Sequence, residues 1–481
     1  MQKKSKYSTL FRKWLSAILN IVKKQKVKLC HTAILILAIT AVSLAGCKNL
    51  QETEENGAER LHPTVSNEVS DRKTIVMWIY NDMDATFIER ASELAEKLSQ
   101  EPIDGNYYQI DVQFVDKAKF YENLISAYMS GTAPDIVFAP PSSPTIYSEL
   151  ALTIDLTSIK HEMIERYGSD NIMLQSGWSD YLKAGVQYGI PISYNTYQII
   201  YNKELFEKAG IKEFPRSYEE WYGICDRLQS FDVIPWVNGT LQIGMPDYRI
   251  VAFWLSTNGA FLVNAKGAPA VESSRAMEVW TFFDNNIRQG YQPDNILQLD
   301  DQMALEMFLN GETGMYIGCF PTALKDVDSE KFAVLPAPVG PSGGRNVRQV
   351  FYYNTCFCIK NGHDQDTLAV LKQWILESDL FWTDGNPNML SFDRDLMEEL
   401  YADSPLLSSW MQQCMQTEQA SSLFFPLQNY PIYGDALIEN GVFADVLLSL
   451  YAGGTVAEGA ARASDEINYF VQMYGREDYL Q

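Results

Sequence analysis

Gly340-Pro341-Ser342-Gly343-Gly344 has the G-x-S-x-G spacing of a serine nucleophile turn. Such a turn must open directly into a helix that lifts the hydroxyl into view, and Gly343-Gly344-Arg345-Asn346 starts a helix poorly. A flexible turn is the expectation. Beyond residue 46 the histidines are His62, His161 and His363, with no H-E-x-x-H, so zinc hydrolysis lacks its ligand set. Cys356 and Cys358 share one face of an extended segment, but the second pair that a zinc site needs is missing, which leaves core packing. Asp384-Gly385-Asn386-Pro387-Asn388 offers oxygens without the spacing of a calcium loop. The 61 acids supply many carboxylate pairs, yet no acid motif stands out as a glycoside-hydrolase pattern. No catalytic residue, metal or cofactor is therefore expected. Reversible recognition, the alternative to catalysis, would draw on 10 Trp, 27 Tyr and 23 Phe for ring faces and on polar side chains for hydrogen bonds.

The elements that must position such groups begin after a leader. The first 46 residues carry nine Lys or Arg and no acid, and Lys23, Lys24, Lys26 and Lys28 precede an apolar run from Ala33 to Ala45. That order reads as a secretory signal, and the run is shorter than the roughly 20 residues a membrane-spanning helix needs. Leu44-Ala45-Gly46-Cys47 follows and resembles the lipobox of bacterial lipoproteins. The resemblance implies removal of residues 1–46 and acylation of Cys47, the source of a palmitate-type lipid anchor. Residues 47–72 are polar and acidic and read as a flexible spacer. Losing the nine cations takes the net charge from −23 to −32, which argues against nucleic acid as a partner. Cys225, Cys319, Cys356, Cys358 and Cys414 remain, an odd number with no disulfide framework. About 410 residues follow the spacer, too many for one core, so two lobes are expected.

Thr74-Ile75-Val76-Met77-Trp78-Ile79 reads as a strand buried on both faces, and a helical pattern runs from Asp84 through Ser99. Residues 109–114 alternate as a strand, 120–129 are helical until Gly131, and Ile136-Val137-Phe138 is again apolar. This succession is an α/β layout with a largely parallel sheet. It resumes after Gly189 with a strand at 198–201. Capping boxes at Ser217-Tyr218-Glu219-Glu220 and Thr455-Val456-Ala457-Glu458 open a helix through about Leu228 and the last helix.

Several segments resemble the sugar-binding proteins of ABC importers, the extracellular solute-binding family that includes the maltose-binding protein. Ser130-Gly131-Thr132-Ala133-Pro134-Asp135-Ile136-Val137 resembles the family's S-G-x-x-P-D-[IV]-[IV], and Ile190-Pro191 through Tyr201-Asn202-Lys203-Glu204-Leu205-Phe206-Glu207-Lys208-Ala209-Gly210-Ile211 is similar to its I-P-x(9)-Y-N-K-[DE]-x-F-x-K-x-G. Phe308 to Met315 and Phe332 to Gly340 look like its F-x-x-G-x-[AT]-[AG]-M and V-x-P-[LF]-P-x-G segments. The resemblance implies a two-lobed periplasmic-binding-protein-like fold, each lobe a largely parallel sheet flanked by helices, joined by hinge crossovers around a cleft. It places 73–192 and 350–395 in the first lobe, 193–349 and 396–481 in the second, with crossings near 192–196, 341–350 and 390–400.

By the same resemblance, Tyr80, Asn81 and Asp82 end the first strand where the family's first loop meets ligand, and Tyr194 and Asn195 fall on the first crossover. Phe320 holds the place of a ring-stacking aromatic. Tyr430 and Tyr433 flank Pro431 at a similar position of the second lobe. Tyr352 and Tyr353 lie at the return into the first lobe, where alternation sends one to the cleft and one to the core. Ala139-Pro140-Pro141-Ser142 departs from members with an aromatic there. The implied protein is a monomeric, membrane-tethered receptor on the outer face of a bacterial cell. It captures a carbohydrate, first of all an oligosaccharide, and delivers it to ABC permease subunits without chemistry. The alternatives are a lipid-anchored surface glycan hydrolase and a receptor for a non-sugar solute.

Overall fold

The computed structural model describes residues 72–481 apart from 81–84, 117–118, 140–152, 170–171, 184, 265–266, 320–323, 325–326, 345–348, 378–393, 416–419, 423–440 and 475–481. The leader, Cys47 and the spacer up to residue 71 lie outside the described residues, as do Asn81, Asp82, Asp384–Asn388, Phe320, Tyr430 and Tyr433. For Tyr352 and Tyr353 only the backbone is described. No described helix is long and apolar enough to cross a membrane.

Lys73–Tyr80 (β1), Ala85–Gln100 (α1), Tyr108–Val115 (β2), Phe120–Ser130 (α2) and Ile136–Ala139 (β3) follow the expected alternation. β1 runs parallel to β2 and β3, with Tyr80 opposite Val115 and Ile79 opposite Phe138. Its two faces differ from the expectation. Ile75, Met77 and Ile79 are fully buried, whereas Val76 and Trp78 are half-buried. Trp78 meets Phe120 edge-on and spends its indole N–H on Gln113 at 3.0 Å, because the second face has only partial cover. Gly131 ends α2 at φ 76°, a conformation that favours glycine, and its N–H reaches the carbonyls of Ala127 and Tyr128.

Helices Thr157–Tyr167 (α3) and Ile172–Asp180 (α4) precede Ile190–Thr196 (β4), every residue of which is buried. One residue later the chain is in another sheet, as Gln198–Asn202 (β5). Lys203–Lys208 (α5), Tyr218–Gln229 (α6), Ile234–Val237 (β6), Tyr248–Thr257 (α7), Ser274–Arg288 (α8), Asp301–Leu309 (α9), Thr313–Gly318 (β7) and Phe332–Leu335 (β8) build around it. Gln349–Cys358 (β9) returns to the first sheet, followed by Asp364–Glu377 (α10), Arg394–Leu400 (α11), Pro405–Met415 (α12), Ala420–Ser422 (β10), Val442–Tyr451 (α13) and Val456–Tyr474 (α14).

The first sheet has the order β10-β9-β3-β1-β2, with β4 also paired to β9, and the second has β8-β5-β7-β6. In the second sheet only β7 and β6 are parallel; β5 runs antiparallel to both β7 and β8. Strand direction here follows from the crossovers, which carry the chain into β5 and out of β8 at the same end of the sheet.

Among the described residues most large aromatics are spent on cores. Trp221, Trp236, Trp254 and Phe282 form one cluster behind the second sheet, with Trp254 and Phe282 centroids 4.4 Å apart. Asn286 Oδ1 accepts both buried indole N–H groups of Trp221 and Trp236, at 3.1 and 2.9 Å, which satisfies those two donors. Cys225, Cys319, Cys356, Cys358 and Cys414 are all buried. Burial pushes the Cys356 and Cys358 thiols up, away from the thiolate a metal would need.

Candidate ligand-binding site

Strand direction defines where a site can lie. β1, β2, β3 and β4 all end at one edge of the first sheet, at Tyr80, Val115, Ala139 and Thr196. β6 and β7 end, and β5 begins, at one edge of the second. Tyr197 joins the two edges, so the crossover floors the space between the lobes. In α/β sheets the crevice beyond the carboxyl ends of strands is where ligands bind.

Four of the residues singled out from the sequence meet on one ladder here. Tyr194 pairs with Tyr353 and Asn195 with Tyr352 across β4 and β9. Tyr194 and Asn195 are both buried. The Asn195 amide donates to the Cys319 carbonyl at 2.6 Å, and its oxygen accepts the Thr196 N–H at 2.7 Å. It therefore ties the first sheet to the end of β7, one residue before Phe320. Tyr80 is buried at the tip of β1.

A charged cluster at the second edge was not picked out from the sequence. Asp247 caps α7 by accepting the Arg249 N–H at 2.8 Å, and takes the Arg249 Nε on both carboxylate oxygens at 2.9 Å. Tyr197 donates its hydroxyl to the same carboxylate at 2.5 Å. Arg249 Nη2 then lies 3.6 Å from Asp301, the first residue of α9, with side chains 20% and 18% exposed. Burial opposes the Arg249 charge, but Asp247 beside it more than compensates, and the guanidinium stays well above its usual range. Burial raises the Tyr197 phenol. The only local trace was a proline-aspartate step before an apolar helix, an N-cap signal.

Other motifs proved to be scaffold. Asn202 of the Y-N-K segment caps α5 by accepting the Leu205 N–H at 3.2 Å, and Lys203 donates to the Ser329 carbonyl. Asp135 sits at the start of β3, the edge away from the crossover. Its carboxylate accepts from Val76 N–H at 2.8 Å and Asn361 Nδ2 at 2.8 Å, and lies 2.6 Å from His363 Nε2. Lys73 and Tyr108 bind Asp366 at that same edge, and Lys73 holds the Asp366 carboxyl below its usual range. Ser342 donates its hydroxyl to Glu278 at 2.9 Å and its N–H to Asn258 at 2.8 Å. That pins the second crossover to the second lobe.

Three Brucella proteins named as binding proteins, two from Brucella abortus and one from Brucella suis, are each 26% identical over 167 residues, 34% of this chain and 40% of theirs. Among solved structures, the cyclic alpha-maltosyl-1,6-maltose binding protein of Arthrobacter globiformis superposes with a TM-score of 0.65 at 17% identity, covering 84% of this chain and 100% of that one. Maltose-bound MalE3 of T. maritima gives 0.61 at 17% identity, with 82% and 99% covered. The sugar-binding protein MalE of Xanthomonas citri gives 0.62 at 14%, with 83% and 98% covered. These likenesses establish the two-lobed fold. Residues 91–373 match the family of bacterial extracellular solute-binding proteins, and the chain belongs to it.

Proposed function

We propose that this protein captures a carbohydrate, an oligosaccharide first of all, between its two lobes and delivers it to an ABC importer. The observation that carries the reading is the convergence at Tyr197, where an Asn–Tyr ladder of one sheet meets an Asp–Arg–Asp cluster of the other. Neutral sugars need such hydrogen-bonding groups together with an aromatic face, and Phe320, following Cys319, is proposed to supply that face. Tyr80, Asn81, Asp82, Tyr430 and Tyr433 complete the proposed lining. The lobes are proposed to divide at Tyr197, between β8 and β9, and beyond β10, because residues 193–196 and 420–422, expected from the sequence in the second lobe, pair within the first sheet. Calorimetry against a sugar library should give at least one saturable heat, and Phe320→Ala should weaken it by about 1 to 3 kcal/mol. Sustained release of reducing ends instead would identify a glycan hydrolase and end the receptor reading.

The tether is a further part of the proposal. A lipid on Cys47 and the acidic stretch to residue 72 would keep a monomeric receptor near its permease on the outer face of the membrane. Cys47→Ser should move the protein from the membrane fraction to the soluble one with sugar binding intact.

A further inference from the structure

Two carboxylates compete for one guanidinium at the edge of the second lobe. Asp247 holds Arg249 with three contacts of 2.8 to 2.9 Å, while Asp301 is left at 3.6 Å. Asp301 is also hemmed in by main chain. A side chain on Gly239 would fall 2.3 Å from its Oδ1 and 2.4 Å from its Cα. Three segments fix this arrangement. Thr240 is tied to the Leu299 carbonyl at 2.8 Å through its N–H and 2.7 Å through its hydroxyl, Asp300 caps α9 through Met303 N–H, and Asp247 caps α7. Among the described residues, the ionisable groups that face Asp301 are Arg249 and Asp247 from α7 and its cap, Asp300 from its own helix cap, Tyr316 from β7 and Tyr197 from the crossover. Among the described residues one cation therefore stands against three carboxyl groups, and Asp301 lies outside the close pair.

We propose that Asp301 is a proton-operated group of the ligand cleft, taking up a proton when the lobes close on a neutral ligand. This rests on the cleft assignment above. Closure over an uncharged sugar removes the water that still reaches Asp301, so the charged form loses solvation. Even before closure, burial has pushed this carboxyl up to about 7, with Asp247 and Asp300 adding to the rise and Arg249 opposing it. A small further rise on closure then falls in the neutral range. Capture becomes tighter in mildly acid surroundings and release easier in mildly alkaline ones.

The group has a signature without any ligand. Its folded proton affinity exceeds its unfolded one, so its contribution to stability is complete below about pH 4 and is lost as pH rises to about 7. Urea unfolding of the full mature chain should show that decline, and Asp301→Asn should remove it. With a sugar found by calorimetry, affinity should fall on the order of threefold to tenfold from pH 6 to pH 8. Heats in buffers of different ionisation enthalpy should report net proton uptake, absent in Asp301→Asn. If the two unfolding profiles run parallel from pH 4 to 7, the proposal is overturned with or without a ligand. Sugar binding that is pH-independent and proton-neutral overturns it too, while leaving the receptor reading in place. A protein that binds no sugar but keeps the difference between the unfolding profiles loses the receptor reading and retains a titrating Asp301.

Discussion

Asp135 and Asp247 are both buried carboxylates at the mouth of a sheet, and they stand at opposite ends of the problem. Asp135 knits the first sheet at the edge away from the crossover, accepting from Val76, Asn361 and His363, groups that come from β1 and the turn before α10. Asp247 knits the second lobe at the crossover itself, with Tyr197 and Arg249. The chemistry is alike and the consequences differ by place. A clamp far from the cleft can be optimised for stability alone, whereas one on its floor constrains whatever binds there.

Substitutions should separate the two. Arg249→Ala is expected to have the larger effect, leaving the buried Asp247 without its cation and with only the Tyr197 hydroxyl and a main-chain N–H as partners, at a loss of about 3 to 5 kcal/mol by urea unfolding, with weakened sugar binding in the protein that still folds. Asp135→Ala should lose about 1 to 2 kcal/mol, since the part-buried Val76 N–H and the Asn361 amide lose their acceptor, and sugar affinity by calorimetry should be unchanged. An affinity change in Asp135→Ala comparable with that in Arg249→Ala would erase the distinction between the two clamps.

The legible parts of this chain were those written locally. Ser217 accepts the Glu220 N–H as its capping box requires, and Glu458 accepts both the N–H and the hydroxyl of Thr455 at the start of α14. Apolar periodicity marked β1, α1, β2 and α2 because each buries a face against its sequence neighbours. The Asp247–Arg249–Asp301 cluster was hidden because its members are brought together from separate helix starts, and 61 acids give no way to choose among them. The mixed direction of the second sheet was hidden for a related reason. A strand's residue pattern encodes which side faces the core, but not which way its neighbour runs. The motifs that best mark the family, around Asp135 and Asn202, turned out to specify turns and caps.

The first sheet is finished by a late arrival. Thr355 pairs with Ala139 and Cys356 with Phe138, while Phe351 pairs with Thr196 on one side of the ladder and with Ser422 in the register of β10. Until β9 has been made and threaded into place, β3 has an open edge and β4 has no partner in its own sheet. Closing loops of that length slows assembly far more than it weakens the product. The strand that completes the first sheet is thus made only after all four strands of the second, so the first lobe is begun earlier and finished later than its neighbour.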